Sequence, residues 1–179
     1  YMMGKGKLKD NTVVTTVMAN IGFHKAIKEN GGRTEITAVG DRYVLENMLA
    51  NGYNLGGEQS GHIIFTDFST TGDGPVTALQ VLSYLKRTRH KASAITKIMT
   101  SYPQLLVNVK VATKDGWEDN EAIKASIEEG KQQLGENGRI LVRPSGTEPL
   151  IRVMAEGPDQ KELEEICYKI ADVVKVQQG

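Results

Sequence analysis

The stretch RILVRPSGTEPLIRVMAEG, residues 139–157, decides the fold of the second half of the chain. Its two ends, RILVRP and LIRVMAEG, are rich in the aliphatic and β-branched residues that are typical of strands. The segment between them combines a glycine, two hydroxyl residues and prolines, which favour a tight connection. The sequence therefore predicts a β-hairpin with a polar tip.

The tip of this hairpin carries groups that suit an anion. Arg143 offers a forked donor that matches two phosphate oxygens, and Arg152 on the returning strand could lean toward the same point. Backbone N–H groups through Ser145, Gly146 and Thr147 could form a concave nest, and the glycine would permit a positive φ. The alternative is an ordinary turn with solvated side chains, and residue chemistry alone leaves both open.

The elements around the hairpin predict a small α+β domain over residues 105–179 with the order β-α-β-β-α. The last helix should begin at Asp159, because Glu162 three residues later completes a capping-box-like pair. Besides the hairpin strands, the predicted elements are a strand at 105–113 and helices at 118–135 and 159–178.

Residues 1–100 alternate between predicted strands and helices, which is typical of an α/β domain with a mixed, mainly parallel sheet layered with helices. The polar, proline-containing segment TSYPQ, residues 100–104, is the predicted boundary between the two domains. The predicted strands lie at 11–20, 34–40 and 62–68, and the helices at 22–32, 41–52, 73–89 and 93–99.

Composition restricts the partners of the chain. The 22 basic and 22 acidic residues of the 179 balance, so nothing favours nucleic acid or an acidic membrane, and any anion site must be local. The single cysteine, Cys167, excludes an internal disulfide and fits a reducing cytoplasm. No apolar run approaches the length needed to span a bilayer.

A second polar segment, GGEQSGH at residues 56–62, is a candidate site because three of its first six residues are glycines that permit close approach. We predict a loop in which Glu58 accepts hydrogen bonds from sugar hydroxyls and Ser60 donates or accepts. Histidine is the residue type suited to proton transfer near neutral pH, so His62 could move a proton. The alternative is a glycine-rich connection whose histidine only caps or packs.

A third segment, AVGDRYV at residues 38–44, joins a predicted strand to a helix. Gly40 ends the strand, Asp41 is the predicted helix cap, and Arg42 is available to an anion. An ordinary strand-to-helix turn explains the same residues.

Metal sites find no support in the sequence. STTGDGP, residues 69–75, offers one carboxylate, which is too few for a divalent cation and indicates a helix start. The three histidines and the cysteine lack the spacing of zinc ligands.

Taken together and in this order, VGDRY, GEQSGH and RPSGTEPLIRVM resemble the α-D-phosphohexomutase family. The resemblance extends over essentially the whole chain. Members of the family have four domains, and this sequence is similar to the third and the fourth. The resemblance implies that the third domain is incomplete at its N-terminal end. Within the family, GEQSGHIIF is most similar to the branch that acts on glucosamine phosphate.

The resemblance implies a phosphoryl-transfer cycle. An intact member carries a phosphoserine in its first domain, passes the phosphoryl group to a sugar 6-phosphate, and recovers the other phosphate from the bisphosphate. Mg²⁺ lies at the phosphoserine and at a triple-aspartate loop of the second domain. The implied substrate is glucosamine 6-phosphate, and the product, glucosamine 1-phosphate, leads to UDP-N-acetylglucosamine and peptidoglycan. The intact enzyme is expected to be a cytoplasmic homodimer.

The resemblance also assigns roles to residues. It places Glu58 and Ser60 on the ring hydroxyls, His62 at a position that assists proton transfer, and the turn at 40–42 near the sugar. The group that grips the non-reacting phosphate comprises Arg143, Ser145, Gly146, Thr147 and Arg152.

The chain departs from the family in two places. It has no TASHNP-like serine loop, to which TSYP is the nearest segment, and no D-x-D-x-D run. We therefore expect the chain alone to have no mutase activity and to bind no Mg²⁺. A start at Tyr1 instead of a methionine favours truncation.

Three alternatives stay open. The phosphomannomutase/phosphoglucomutase branch competes with the glucosamine branch, which Gln59 favours. A stand-alone sugar-phosphate-binding module without catalysis, or a structural domain without any ligand, would explain the same sequence.

Overall fold

The computed structural model describes residues 1–95 and 97–179. The chain divides into two compact units, Tyr1–Ser101 and Tyr102–Gly179, and each is described by itself. The helix predicted over 93–99 corresponds to a short helix at Ala92–Ile95, and residue 96 of that prediction lies outside the described residues.

The first unit is built on a four-stranded sheet of order β2-β1-β3-β4. Strand β1 runs parallel to β2 and to β3, whereas β4 is antiparallel to β3. The predicted mixed, mainly parallel sheet layered with helices is confirmed. Its elements, after 3-10 turns at Met3–Lys5 and Lys9–Asn11, are β1 (Thr12–Thr16), α1 (Ile21–Glu29), β2 (Arg33–Thr37), α2 (Asp41–Asn51), β3 (Leu55–Gly57), β4 (Ile63–Phe65), α3 (Gly74–Thr88) and α4 (Ala92–Ile95).

Strand β3 corrects the prediction of a loop at Gly56 and Gly57. A Cβ on Gly56 would lie 2.5 Å from the sulfur of Met48 and 2.7 Å from Cγ1 of Val44. Both side chains belong to α2 and are fully buried. The glycine that weakens strand propensity is thus what allows α2 to pack directly on an internal strand.

The helices of this unit lie on both faces of the sheet. Val14 of β1 packs in the core with Val44 and Met48 of α2, while Val13 and Phe23 of α1 line a cavity on the other side. Because β1, β2 and β3 are parallel, the loops that follow them emerge at one edge of the sheet. The candidate segment at 38–44 follows β2 at this edge, and the candidate segment at 56–62 begins in β3 and continues into the turn after it.

The start of α2 differs from the prediction. Gly40 is the N-cap, with φ 134° and ψ 131°, and Asp41 is the first helical residue. The Asp41 carboxylate accepts a hydrogen bond from the Arg42 N–H at 2.8 Å and caps nothing further along the helix. A side chain rarely tolerates the φ of Gly40, so the cap falls on the glycine and the prediction of Asp41 as cap is wrong.

The second unit is an antiparallel sheet of order β5-β7-β6 with two long helices. The predicted β-α-β-β-α order is confirmed. Asp159 caps the last helix by accepting from the N–H groups of Lys161 and Glu162. The elements are β5 (Gln104–Lys110), a 3-10 turn (Trp117–Asp119), α5 (Glu121–Leu134), a 3-10 turn (Gly135–Asn137), β6 (Arg139–Pro144), β7 (Leu150–Glu156) and α6 (Gln160–Gln178).

Helix α5 begins three residues later than predicted. Asn120 is its cap, accepting from the N–H groups of Ala122 and Ile123, so the preceding residues form the 3-10 turn instead. The core of the unit lies between the helices and one face of the sheet. Among the helices of residues 1–95 and 97–179, none is both long and apolar enough to cross a membrane.

Candidate functional site

The β3–β4 turn brings Glu58, Ser60 and His62 together. The Glu58 N–H donates to the His62 carbonyl at 3.1 Å, and the Gly61 N–H donates to the Glu58 carbonyl at 3.0 Å, which closes the turn. The Ser60 hydroxyl lies 2.8 Å from a Glu58 carboxylate oxygen and 2.8 Å from Nδ1 of His62. The Glu58 oxygen and His62 Nδ1 are 3.5 Å apart.

The single proton of the Ser60 hydroxyl determines the state of His62. An ionised carboxylate only accepts hydrogen bonds, so the 2.8 Å contact with Glu58 requires the serine proton. The contact between Ser60 Oγ and His62 Nδ1 then needs a proton on Nδ1. A neutral His62 in this arrangement carries its proton on Nδ1 and keeps the lone pair on Nε2 free to accept another.

Replacing Ser60 with alanine is expected to release this tautomer. In the unchanged chain at about pH 8, where an ordinary imidazole is neutral, nitrogen NMR of His62 should show a protonated Nδ1. In Ser60→Ala the Nε2-protonated form of His62 should gain population, because the Ser60 hydroxyl that accepts from the Nδ1 proton is gone. Ser60→Thr keeps the hydroxyl and is the control, and His24 and His90 supply internal references. An identical tautomer in all three chains would contradict the assignment.

The segment after β2 stands apart from this cluster in its contacts. Arg42 is 81% exposed and its Nε donates to a Glu46 carboxylate oxygen at 2.7 Å. This hydrogen bond and the charge of Glu46 raise the pKa of Arg42. Gly40, Asp41 and Arg42 share the sheet edge with the turn, but within the described residues no hydrogen bond or ion pair joins them to it.

An apolar cavity of about 330 Å³ lies beneath the turn, with Glu58 and Gln59 in its wall. Most of its remaining lining is aliphatic or aromatic, including Val13, Phe23 and Met99. Such walls do not solvate a charged sugar phosphate. The groups of the turn that suit a polar ligand are therefore the serine hydroxyl, the carboxylate and the imidazole.

The β6–β7 hairpin tip is closed by its own hydrogen bonds. The Ser145 N–H donates to the Leu150 carbonyl at 2.8 Å, and the Glu148 N–H donates to the Ser145 hydroxyl at 3.2 Å. Ser145 is only 3% exposed, whereas Gly146 and Thr147 are exposed. The buried serine thus shapes the turn, and the two residues after it face solvent.

Several donors at the tip have no acceptor. Among residues 1–95 and 97–179, neither the N–H groups of Gly146 and Thr147 nor the Arg143 guanidinium have a hydrogen-bond partner. Gly146 does not use the positive φ that a glycine permits, and a Cβ there would meet no atom within 4 Å. The space over Gly146 is open, and the Gly146 and Thr147 N–H groups at this tip are unpaired among the described residues.

Two arginines lie on neighbouring strands at the base of this tip. Arg143 and Arg152 are directly opposite each other on β6 and β7. Arg152 donates to the Glu148 carboxylate at 3.1 Å, while its buried Nε has no partner among the described residues. Burial and then the charge of Arg152 lower the pKa of Arg143. Two adjacent cations with a single carboxylate favour a bound anion.

Lys114 joins this group without any signal in the sequence. Its Nζ donates to the Ser145 carbonyl at 2.7 Å across 31 residues. Only the pairing of β5 with β7, which sets Lys110 opposite Leu150, brings the segment after β5 to the hairpin tip. A lysine between VAT and DGW looks like any solvated lysine until this register is known.

The described residues do not gather the ligands of a dedicated Mg²⁺ site. Within the part of the chain that the structure describes, no group of three or more His, Cys, Asp and Glu side chains could hold a metal ion. Cys167 is buried, and burial raises the pKa of its thiol to about 11, so it stays protonated near neutrality.

The two units match two consecutive domains of one family. Residues 1–102 match the description "Phosphoglucomutase/phosphomannomutase, alpha/beta/alpha domain III", and residues 106–173 match "Phosphoglucomutase/phosphomannomutase, C-terminal domain". The chain therefore belongs to the phosphoglucomutase/phosphomannomutase family, which is the α-D-phosphohexomutase family of the three sequence motifs. That resemblance is confirmed.

Relatives with high identity are phosphoglucosamine mutases. The chain is 57% identical to that of Brevibacillus brevis over 176 residues, which cover 98% of this chain and 39% of the relative. It is 52% identical to that of Bacillus pumilus over 179 residues, which cover 100% of this chain and 40% of the relative. The chain thus corresponds to the C-terminal part of these relatives, about 40% of their length.

A solved structure shares the fold. The Aspergillus fumigatus N-acetylphosphoglucosamine mutase superposes with a TM-score of 0.81 at 22% identity, covering 97% of this chain and 39% of that one. The same enzyme in complex with GlcNAc-6P and magnesium gives a TM-score of 0.81 and also 22% identity.

Proposed function

We propose that the chain is the substrate-binding part of a phosphoglucosamine mutase. The whole enzyme would interconvert glucosamine 6-phosphate and glucosamine 1-phosphate for UDP-N-acetylglucosamine and peptidoglycan synthesis. The 57% identity to a phosphoglucosamine mutase supports the substrate. The observation that carries the role of this part is the set of unpaired donors at the hairpin tip. These donors would suit a phosphate, which the tip would bind without taking part in phosphoryl transfer.

The hairpin tip is proposed as a phosphate clamp, defined here as Arg143, Ser145, Gly146, Thr147 and Arg152. The N–H groups of Gly146 and Thr147 would each donate to one phosphate oxygen, and Arg143 would donate two parallel hydrogen bonds. The phosphate held there is the one that does not react. Its binding free energy orients the sugar, which offsets part of the entropy cost of the reaction.

The β3–β4 turn is proposed as the sugar contact. Glu58 accepts hydrogen bonds from ring hydroxyls, and Ser60 holds the tautomer of His62. His62 Nε2 is then free to accept the proton of a sugar hydroxyl as that hydroxyl attacks phosphorus. Gly40, Asp41 and Arg42, at the same sheet edge, would lie near the sugar.

The phosphoserine and the Mg²⁺ would come from the part of the relatives that this chain does not span. Mg²⁺ supplies charge neutralisation at the transferring phosphoryl group when it is bound, and the crystal structure of the Aspergillus enzyme with magnesium supports that requirement. We also propose that the intact enzyme is a homodimer and that it is cytoplasmic. The single cysteine supports the cytoplasmic location.

Inorganic phosphate should stabilise the second unit against unfolding, and Arg143→Ala should remove most of that effect. The only tryptophan, Trp117, packs against the core of the second unit. Tryptophan fluorescence therefore reports the unfolding of this unit. Phosphate at 100 times its Kd stabilises by about 2.7 kcal/mol. Loss of a bidentate charged contact weakens binding about 100-fold, which leaves about 0.4 kcal/mol at the same concentration.

Arg87→Ala is the control for this experiment. Arg87 is an exposed arginine near the end of α3, so its loss removes the same charge from the chain without touching the hairpin. Equal stabilisation of Arg143→Ala and Arg87→Ala by phosphate would contradict the clamp.

Competition of glucosamine 6-phosphate against mannose and glucose 6-phosphate in the full-length protein separates the two branches of the family.

A further inference from the structure

We propose that Lys114 is a positioning residue of the phosphate clamp: it holds the Ser145 carbonyl so that the Gly146 N–H faces the anion. This inference rests on the proposed function and adds to the clamp a residue outside the RPSGTEP segment. Lys114 would not touch the phosphate itself. It would act through the peptide that joins Ser145 to Gly146.

Peptide geometry links the lysine to the donor. A trans peptide is planar, with its C=O and N–H pointing in opposite directions, and the chain has no cis peptide among its described residues. The Lys114 ammonium binds the Ser145 carbonyl at 2.7 Å. The N–H of Gly146 must therefore point away from Lys114, and it is one of the donors without a partner at the tip.

The segment that carries Lys114 is anchored on both sides. The Val111 N–H donates to the Pro149 carbonyl at 3.1 Å, and the Ala112 N–H donates to the Gln178 carbonyl at 2.7 Å. The Asp115 N–H donates to the Thr113 hydroxyl at 3.1 Å. The first two bonds tie the residues just before Lys114 to the hairpin and to the end of α6, and the half-buried ammonium lies at the Ser145 carbonyl.

Electrostatics act in the same direction as geometry. A charged donor on the carbonyl polarises the peptide and makes its N–H a stronger hydrogen-bond donor. Lys114 also adds a third cation to Arg143 and Arg152. Among the described residues, Glu148 is the one carboxylate that forms an ion pair with any of these three cations. A lone carbonyl needs only an uncharged donor, and a charged one is useful where an anion is to bind.

The test compares Lys114→Met with Lys110→Met by phosphate titration of the 179-residue chain, with Trp117 fluorescence and the Gly146 amide signal as readouts. Lys110 is an exposed lysine at the end of β5, so its removal matches the charge change without the carbonyl contact. We expect Lys114→Met to raise the Kd for phosphate about fivefold and Lys110→Met to change it by less than about twofold. Only Lys114→Met should shift the Gly146 amide resonance before phosphate is added.

Each outcome has one meaning. If the unchanged chain binds phosphate and Lys114→Met binds it equally well, or no worse than Lys110→Met, the positioning role is overturned while the clamp stands. If the unchanged chain does not bind phosphate, the clamp fails and this role fails with it. Lys114→Gln keeps a neutral donor to the carbonyl and guards against a folding defect; it should fall between the unchanged chain and Lys114→Met, and equality with the unchanged chain overturns the charge argument.

Discussion

The purified chain is expected to form no glucosamine 1-phosphate from glucosamine 6-phosphate, even with a sugar bisphosphate and Mg²⁺ added. Phosphoryl transfer depends on in-line positioning of a donor and on neutralising charge at the phosphoryl group. The described residues hold no cluster that could bind a metal ion, and the sequence has no TASHNP-like serine loop. Enzymes accelerate reactions by at least about a millionfold. Without the metal-binding cluster and the serine loop, the rate of conversion should therefore stay at the uncatalysed background.

The full-length phosphoglucosamine mutase of Bacillus pumilus, which is 52% identical over this region, is the positive control for that assay. Phosphate binding by the same preparation of the chain shows that an inactive sample is folded. Trace turnover from a contaminating enzyme is distinguished by the variants. Conversion that is present in the unchanged chain and lost in both Arg143→Ala and His62→Ala would place a catalyst within these 179 residues and contradict the proposal.

Features that depend on neighbours in the sequence could be predicted. The hairpin over 139–157 follows from two apolar segments around a proline- and glycine-containing turn. The start of α6 follows from Asp159, whose carboxylate reaches N–H groups only two and three residues away. The closeness of Glu58, Ser60 and His62 also comes from a short turn, although their hydrogen bonds required coordinates.

Features that depend on tertiary packing could not be predicted. Strand β3 is hidden because Gly56 disfavours a strand locally, and only the contact with Met48 of α2 shows why a glycine is needed there. Lys114 is hidden because its partner carbonyl lies 31 residues away and is reached through the β5–β7 register. The β6–β7 register sets Arg143 opposite Arg152, so the strength of the proposed clamp is a property of strand pairing and not of the motif alone.

A buried ion pair at the other end of β6 and β7 is expected to stabilise this register. Arg139 and Glu156 are directly opposite each other, their Nε and Oε2 atoms are 2.7 Å apart, and the Glu156 side chain is fully buried. A shift of β6 by two residues would keep the faces of the strands but leave Glu156 without this arginine. An ion pair in such a place therefore acts against misregister as well as against unfolding.

Arg139→Met should lower the free energy of unfolding of the second unit by about 3 to 5 kcal/mol, because it removes the guanidinium from beside a fully buried carboxylate. Urea unfolding followed by Trp117 fluorescence measures the change. Arg139→Met combined with Glu156→Leu should recover most of the loss, since a buried pair replaced by apolar residues costs little. A loss below about 1 kcal/mol in the single variant is the value of a solvated surface pair, and it would mean that water reaches Glu156 and that the apolar faces alone hold Arg143 beside Arg152.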